Sequence, residues 1–184
     1  MSAFKIVVAG LSASALAACA SAGAPLRAAP PTANAHAVVM NSAGTRVGTA
    51  TLTQDAGGMV HVQMKVAGLP PGTHGVHIHA VGSCIAPAFT SAAGHFNPES
   101  KHHGLNNPSG PHAGDLPNMT VDASGNADYD VRTSRVSLTP GTNSLFDADG
   151  SALVIHAAAD DNMSDPAGNA GARIACGEIK SGAA

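Results

Sequence analysis

The chain has 184 residues, of which 44% are hydrophobic but only 3% aromatic, so the core must be built from Val, Leu, Ile, Met and Ala. A formal net charge of -3, with 11% charged residues, gives no reason to expect a nucleic-acid partner. The length suits one domain with extensions. The 21 glycines and 12 prolines indicate many turns, which favours short strands joined by loops over helices.

The N-terminal segment has the pattern of an export signal. Lys5 is followed by an apolar run to Leu11 and then by small residues, which is too short and too rich in Ala and Ser for a membrane span. In "LAAC", Cys19 stands where a bacterial lipobox places the cysteine that is lipidated and becomes the new N-terminus. We therefore predict a lipoprotein-type signal peptide over 1–18. Ordinary cleavage between the small residues around Cys19 is the alternative.

The next segment, 19–35, is rich in Ala and Pro and is predicted to be a flexible tether, with the domain over 36–184. From this pattern we predict that the protein lies in the periplasm, tethered to a membrane through Cys19. If Cys19 is an anchor or is removed, Cys84 and Cys176 remain as a candidate disulfide pair, because disulfides persist in exported proteins. Two unpaired buried thiols are the alternative.

From residue 36 onward the hydrophobic pattern has the period of β-strands. "VHVQMKV" (60–66) alternates strictly and follows the Thr-rich strand "RVGTATLTQ" (46–54) across a turn at Asp55–Gly58. A second hairpin is predicted in "NMTVDASGNADYDVR" around Gly125, and "SALVIHAAA" and "GARIACGEI" supply two late strands. No stretch has a convincing helical period. The sequence therefore predicts an all-β fold, either a Greek-key sandwich or a flattened barrel.

Histidines are concentrated in the middle of the chain, where seven of the ten lie between His74 and His112. In "GTHGVHIHAVGSC", His77 and His79 are two residues apart on a strand, so their rings project to the same side, while the residues between and before them face the core. Two imidazoles held side by side on a rigid backbone can chelate copper or zinc.

The segment from Gly82 to Leu116 is dense in Gly, Pro, His and Asn, and a loop of that length within a compact domain is either disordered or functional. It contains three histidines and one carboxylate that suit a closed, structural zinc site: His95, His103, His112 and Asp115. A bound ion would order a loop that buries little apolar surface. His156 ends a late apolar strand and, taken alone, would be interpreted as a core histidine.

Together these residues resemble the Cu,Zn superoxide dismutases, and among them the exported bacterial branch. The family motif H-G-x-H-x-H is matched over 74–79, and H-F-N-P over 95–98. The zinc spacing H-x7-H-x8-H-x2-D is met over 95–115, and the closing G-x-R-x-x-C-G over 171–177. The resemblance covers about residues 36–180, which is essentially the whole mature domain.

The resemblance implies an eight-stranded Greek-key flattened barrel with long metal-binding loops, and one copper and one zinc ion per subunit. The implied copper ligands are His77, His79, His95 and His156. The implied zinc ligands are His95, His103, His112 and Asp115, so that His95 bridges both metals. Asp160 would link one ligand of each metal from outside the ligand sets, and Cys84 and Cys176 would form the family's intrasubunit disulfide.

The activity implied by the resemblance is disproportionation of superoxide to dioxygen and hydrogen peroxide, which would protect the exported compartment. His95 would leave copper and take a proton, and Arg173 would attract and orient the anion beside an open copper position. The loop after His156 has three Asp and no Lys, whereas eukaryotic members use Lys and Glu there for steering. Any electrostatic steering of superoxide would then come from residues outside that loop, with Lys101 as one candidate. Exported members occur as monomers and as homodimers.

Four histidines are expected to lie outside the ligand sets. His74 is assigned to loop hydrogen bonding, His102 is expected to be a solvated neighbour of His103, and His36 and His61 are expected on strand surfaces. The competing hypothesis is a metal-binding protein without turnover. A degenerate relative of that kind usually lacks a copper ligand or the arginine, and this chain retains all of them.

Overall fold

The computed structural model describes residues 1–3 and 33–182. Cys19, the predicted signal peptide and most of the predicted tether lie outside the described residues. The first strand begins at Ala33, so the last three residues assigned to the tether belong to the sheet. Among the described residues no helix is long and apolar enough to cross a membrane.

Ten strands and one short 3-10 helix make up the regular structure of residues 33–182. The strands are β1 (Ala33–Asn41), β2 (Arg46–Gln54), β3 (Val60–Val66), β4 (Gly72–His74), β5 (Val76–His79), β6 (Met119–Val121), β7 (Ala127–Thr133), β8 (Ala152–His156), β9 (Arg173–Glu178) and β10 (Lys180–Ser181). The 3-10 helix spans Thr90–Ala92. The all-β prediction is therefore confirmed.

Eight of the strands form one curled sheet in the order β5-β8-β9-β1-β2-β3-β7, with β10 also pairing to β1, while β4 and β6 form a separate pair. Neighbours such as β3 and β7 are far apart in sequence, which is the signature of Greek-key crossovers. β4 and β5 are parts of one segment that changes partner at Gly75. Counted as one strand, and without the two-residue β10, they leave the eight strands that the resemblance implied.

The first hairpin forms as its pattern predicts. β2 and β3 pair from Gly48 with Val66 to Gln54 with Val60. The apolar residues of β3 are buried, and the polar ones between them face outward. Each fully buried valine of this kind contributes about 1.5–3 kcal/mol. The turn is held by the carboxylate of Asp55, which accepts hydrogen bonds from the main chain of the turn.

The second predicted hairpin is wrong, although its turn is present. The N–H of Asp122 donates to the carbonyl of Asn126, which closes the turn. The strands on either side then diverge, because β6 pairs with β4 and β7 pairs with β3. A local turn signal does not determine which neighbour each strand meets. As a result β6, which follows Asp115 in the chain, lies alongside β4, which ends at His74.

The long loop over 82–116 lies along the otherwise open edge of β5. Isolated β-bridges join His77 with Asp115 and His79 with His95. β5 is consequently covered on that edge by the loop and on the other by β8. This arrangement places the loop histidines directly beside the strand histidines.

Candidate metal centre

Four histidine rings converge beneath the loop, with one ligand nitrogen of each lying within 4.8 Å of the others. They are His77, His79, His95 and His156. In each ring one nitrogen is buried without a hydrogen-bond partner among the described residues: Nδ1 of His77, and Nε2 of His79, His95 and His156. Leaving a buried polar atom unpaired costs about 1–3 kcal/mol. Four such nitrogens converging on one point indicate a binding site for an ion that would accept their lone pairs.

The second nitrogen of two rings fixes which tautomer is present. Nδ1 of His79 donates to the carbonyl of Ala93 at 2.9 Å, and Nδ1 of His156 donates to the carbonyl of Gly171 at 3.1 Å. A carbonyl oxygen only accepts, so the hydrogen is on Nδ1 and the lone pair of Nε2 faces the cluster. A set of imidazole lone pairs suits copper or zinc, and these residues therefore fit a copper ion.

A second cluster adjoins the first and contains the residues of the predicted zinc site. Oδ1 of Asp115 lies 2.9 Å from Nδ1 of His95, 3.0 Å from Nδ1 of His103 and 3.4 Å from Nδ1 of His112. The Nδ1 atoms of His95 and His112 are 3.3 Å apart. Ligand atoms around a tetrahedral zinc ion with bonds of about 2.0 Å are separated by roughly 3.3 Å. The cluster therefore fits zinc.

His77 also lies close to this second cluster, because its ring stacks on that of His95 with centroids 3.9 Å apart. Distance alone would even allow His77 to replace His112 as the fourth member. We favour His112, since its Nδ1 faces both His95 and Asp115. We call the first group (His77, His79, His95 and His156) the copper cluster and the second group (His95, His103, His112 and Asp115) the zinc cluster. His95 belongs to both, with Nδ1 in the zinc cluster and Nε2 in the copper cluster.

Asp160 lies between the two clusters, where the resemblance implied a connecting carboxylate. Its Oδ2 is 2.7 Å from Nε2 of His77 and its Oδ1 is 3.0 Å from Nε2 of His103. Both contacts are fully buried. An outer carboxylate of this kind fixes the orientation of two ligand rings and raises their basicity.

Two residues that support Asp160 were missed by the sequence analysis. The side-chain amide of Asn118 accepts from the N–H of Asp160 at 2.9 Å and donates to its carbonyl at 2.8 Å. Gly168 has φ +61, and a Cβ there would lie 1.7 Å from Oδ1 of Asp160. A side chain at 168 would therefore displace the carboxylate. Neither residue carries a signal in the sequence, because both act through tertiary contacts.

Burial favours the neutral form of the copper-cluster histidines in the metal-free protein. Desolvation is the largest cause in each case, and it lowers the pKa of His79 to about 2 and those of His95 and His156 to about 4. The pKa of His77 is lowered as well, by the same burial. Neutral imidazoles are the form that binds a metal ion.

His103 shifts in the opposite direction. Burial alone would lower its pKa, but hydrogen bonds to Asp115 and Asp160 outweigh burial and raise the pKa to about 9. The same bonds keep the pKa values of both carboxyl groups below their ordinary range, although burial would raise them. The metal-free zinc cluster therefore holds a cation between two carboxylates.

The metal-free protein should become less stable as the pH falls from about 7 to about 5. His79, His95 and His156 stay neutral in the fold but gain protons on unfolding, where their ordinary pKa is 6.5. The pKa of His77 is lowered as well, so this ring acts in the same direction. His103, with a raised pKa, stabilises the fold fully below 6.5 and loses that contribution only as the pH rises through about 9. Between pH 7 and pH 5 the stability lost through the four copper-cluster histidines therefore outweighs the contribution of the single His103. Urea midpoints at the two pH values test this, and a higher midpoint at the lower pH would contradict it.

Arg173 lies beside the copper cluster with its guanidinium held by the main chain of the loop. Its Nη1 donates to the carbonyl of Phe89 and its Nη2 to that of Ala93. The carbonyl of Ala93 also accepts from His79. The positive charge of Arg173 contributes to the lowered pKa values of His79 and His156. A permanent cation is thus fixed next to the copper cluster.

The remaining histidines make contacts outside both clusters. His74 is buried, with Nδ1 2.7 Å from the carbonyl of His156 and Nε2 2.8 Å from that of Pro70. His102 is exposed and contacts Asp165. The rings of His36 and His61 bond to Gly182 and Asp130.

Cys84 and Cys176 form a disulfide across a sequence separation of 92 residues, which confirms the predicted pair. The bond joins the beginning of the long loop to β9. Phe89 and Ala93, whose carbonyls hold Arg173, follow Cys84 in the same loop. The disulfide therefore supports the part of the loop that positions the arginine.

Comparison with known proteins agrees with this geometry. The model of the family described as copper/zinc superoxide dismutase matches residues 46–179. "Superoxide dismutase [Cu-Zn] 1" of Aquifex aeolicus is 50% identical over 147 residues, covering 79% of this chain and 86% of that protein. "Superoxide dismutase-like protein YojM" of Bacillus subtilis is 42% identical over 146 residues, covering 78% and 74%.

Solved structures show the same similarity. The crystal structure of a "SOD-like protein from Bacillus subtilis" superposes with a TM-score of 0.74 at 42% identity, covering 77% of this chain and 95% of that chain. The structure of "the clock protein EA4" gives a TM-score of 0.68 at 38% identity, covering 82% and 95%.

Proposed function

The chain belongs to the copper/zinc superoxide dismutase family, and from that premise we propose that its two histidine clusters form one binuclear centre that disproportionates superoxide. The proposed copper ligands are His77, His79, His95 and His156. The proposed zinc ligands are His95, His103, His112 and Asp115. The observation that carries the proposal is the convergence of four buried ring nitrogens that have no partner among the described residues.

When bound, copper supplies the electron exchange with superoxide, while zinc has no redox chemistry and provides structure. The protein supplies one of the two protons and the geometry. Nδ1 of His95 faces the zinc cluster, so Nε2 is the atom at which this ring can take up a proton and deliver it. Two superoxide ions and two protons give one dioxygen and one hydrogen peroxide. His95 delivers one proton and solvent the other.

Attraction of the anion is assigned to Arg173. Its guanidinium is fixed by two carbonyls, and its charge acts on two of the copper-cluster histidines. Lys101, the other candidate from the sequence, forms an ion pair with Glu99 at 2.7 Å. A paired lysine contributes little field at a distance, so steering through Lys101 is not supported.

Replacing Arg173 with methionine should lower kcat/KM by about tenfold or more, the usual range for electrostatic attraction of a small charged substrate. The dependence of the rate on ionic strength should also weaken, because the attracting charge is gone. Arg173→Lys keeps the charge but not the two-carbonyl geometry, so it should fall between the parent and the methionine variant. Pulse radiolysis at two salt concentrations measures both quantities. An unchanged rate and salt dependence in Arg173→Met would contradict the assignment.

The competing function is metal binding without turnover, and one relative of this chain is named only "superoxide dismutase-like". Against that alternative, this chain has all four histidines of the copper cluster and the arginine beside them. Assaying superoxide loss by the copper-loaded protein separates the two functions.

The proposed location is the periplasm, with the domain tethered through a lipid on Cys19. The disulfide supports an oxidising compartment, because such bonds persist there and are rare in the cytosol. Mass spectrometry of the mature N-terminus tests the tether. A diacylglyceryl-modified cysteine at position 19 is the expected result, and a mature chain that begins elsewhere would contradict it.

A further inference from the structure

Arg135 is a half-buried arginine that the proposed chemistry does not use. It lies two residues beyond β7, and its Nη2 donates to the main-chain oxygen of Asp115. We propose that Arg135 is a positioning residue of the zinc site, which fixes the main chain of Asp115 so that its carboxylate meets the zinc-site histidines. This inference rests on the zinc site of the proposed function.

Every polar atom of Asp115 has a partner. Oδ1 faces the zinc-site histidine rings, and Oδ2 accepts from the N–H groups of Gly104 and His112, each at 2.9 Å. Those partners belong to the same long loop as Asp115. Arg135 approaches from β7 and holds the remaining acceptor, the carbonyl. It therefore sets the position of the ligand relative to the barrel rather than relative to the loop.

The main chain of Arg135 is itself fixed on both sides. Its N–H donates to Oγ1 of Thr133 at 3.1 Å, and its carbonyl accepts from the side-chain amide of Asn143 at 2.9 Å. An arginine with a fixed backbone and a bonded guanidinium has little freedom left. Such a side chain can transmit the geometry of β7 to the loop.

The charge of Arg135 is costly where it lies. Burial lowers the pKa of its guanidinium, opposed by the charge of Asp115, and Nε is buried with no partner among the described residues. A half-buried cation with an unsatisfied donor contributes less stability than an apolar side chain of similar size would. Its contact with the ligand-bearing Asp115, rather than core stability, accounts for an arginine at this position.

The test measures zinc binding rather than activity. The Arg135→Met variant should raise the zinc dissociation constant, measured by competition with a chelator, by about 10–100-fold, as for other residues that orient metal ligands. Cobalt(II) placed in the zinc site should show a changed visible spectrum, which a purely structural residue would not cause. Arg135→Lys, which keeps the charge, should recover part of the affinity. The matched control is Arg132→Met, which removes an exposed arginine of the neighbouring strand β7 and should leave the zinc affinity and the cobalt spectrum at parental values.

An unchanged zinc affinity and cobalt spectrum in Arg135→Met would overturn the proposal. If that variant does not fold, Arg135→Lys carries the test, with a weaker zinc affinity expected and a parental one overturning it. A parent protein that binds no zinc would refute the proposed zinc site itself, and this inference with it. A parent protein that binds zinc, together with an Arg135→Met variant that binds it equally tightly, would refute the role of Arg135 alone.

Discussion

Substituting His156 with alanine should abolish superoxide dismutase activity while leaving zinc binding and the fold in place. Nε2 of His156 is one of the four unpartnered nitrogens of the copper cluster, and the ring belongs to none of the zinc contacts. Substitutions outside the ligand set commonly cost 10–100-fold, so the loss of a ligand should exceed about a hundredfold. The hydrogen bond from His74 ends on the main-chain oxygen of residue 156 and survives the change.

His61→Ala is the matched control for this prediction. His61 is on β3, and its ring contacts Asp130 on the same outer surface, away from both clusters. Its removal should leave the rate, the copper content and the zinc content at parental values. Metal analysis and superoxide decay measure all three. Activity retained in His156→Ala would refute the assignment of His156 to copper.

Removing the disulfide should cost roughly 4–5 kcal/mol of the free energy of unfolding, since the bond closes a loop across 92 residues and restricts the unfolded chain accordingly. For a protein of this size the melting temperature should fall by roughly 10–20 °C. A Cys84→Ser, Cys176→Ser double variant, compared with the oxidised parent in urea, measures the difference.

The same variant should also lose activity, because the freed loop carries the carbonyls of Phe89 and Ala93 that hold Arg173. A reducing agent is the control, since it should shift the parent towards the variant and leave the variant unchanged. If the double variant kept the parental unfolding free energy, the disulfide would have no part in holding the loop on the barrel.

The strands and the clustering of the histidines could be predicted from the sequence because both follow from local patterns. Alternation in β3 determined which side chains face the core, and the same parity placed His77 beside His79. The spacing within the long loop indicated which of its residues lie together in the second cluster. Asp160, four residues after His156, also lies where the resemblance implied.

The residues that hold the metal-site side chains in place could not be predicted, because their contacts depend on how segments distant in sequence cross. Asn118 reaches Asp160 only because β6 leaves its turn to pair with β4, which the hairpin prediction did not allow. Arg135 reaches Asp115 across the end of the barrel. Gly168 is one glycine among 21, and its requirement appears only when the carboxylate is beside it.

The resemblance implied that Arg173 attracts the anion, but the sequence did not show whether Lys101 also contributes to steering. Lys101 and Glu99 are two residues apart, a spacing that does not by itself show whether they pair or whether the lysine is available to the substrate. The structure pairs Lys101 with Glu99, whereas the guanidinium of Arg173 is fixed beside the copper cluster.

The most direct test of the binuclear centre is superoxide decay, followed after a radiolysis pulse, in protein loaded with one copper and one zinc ion and in protein loaded with zinc alone. We expect rapid decay in proportion to the bound copper, and no acceleration with zinc alone. Protein with full copper occupancy that leaves the spontaneous decay of superoxide unchanged would contradict the proposed function.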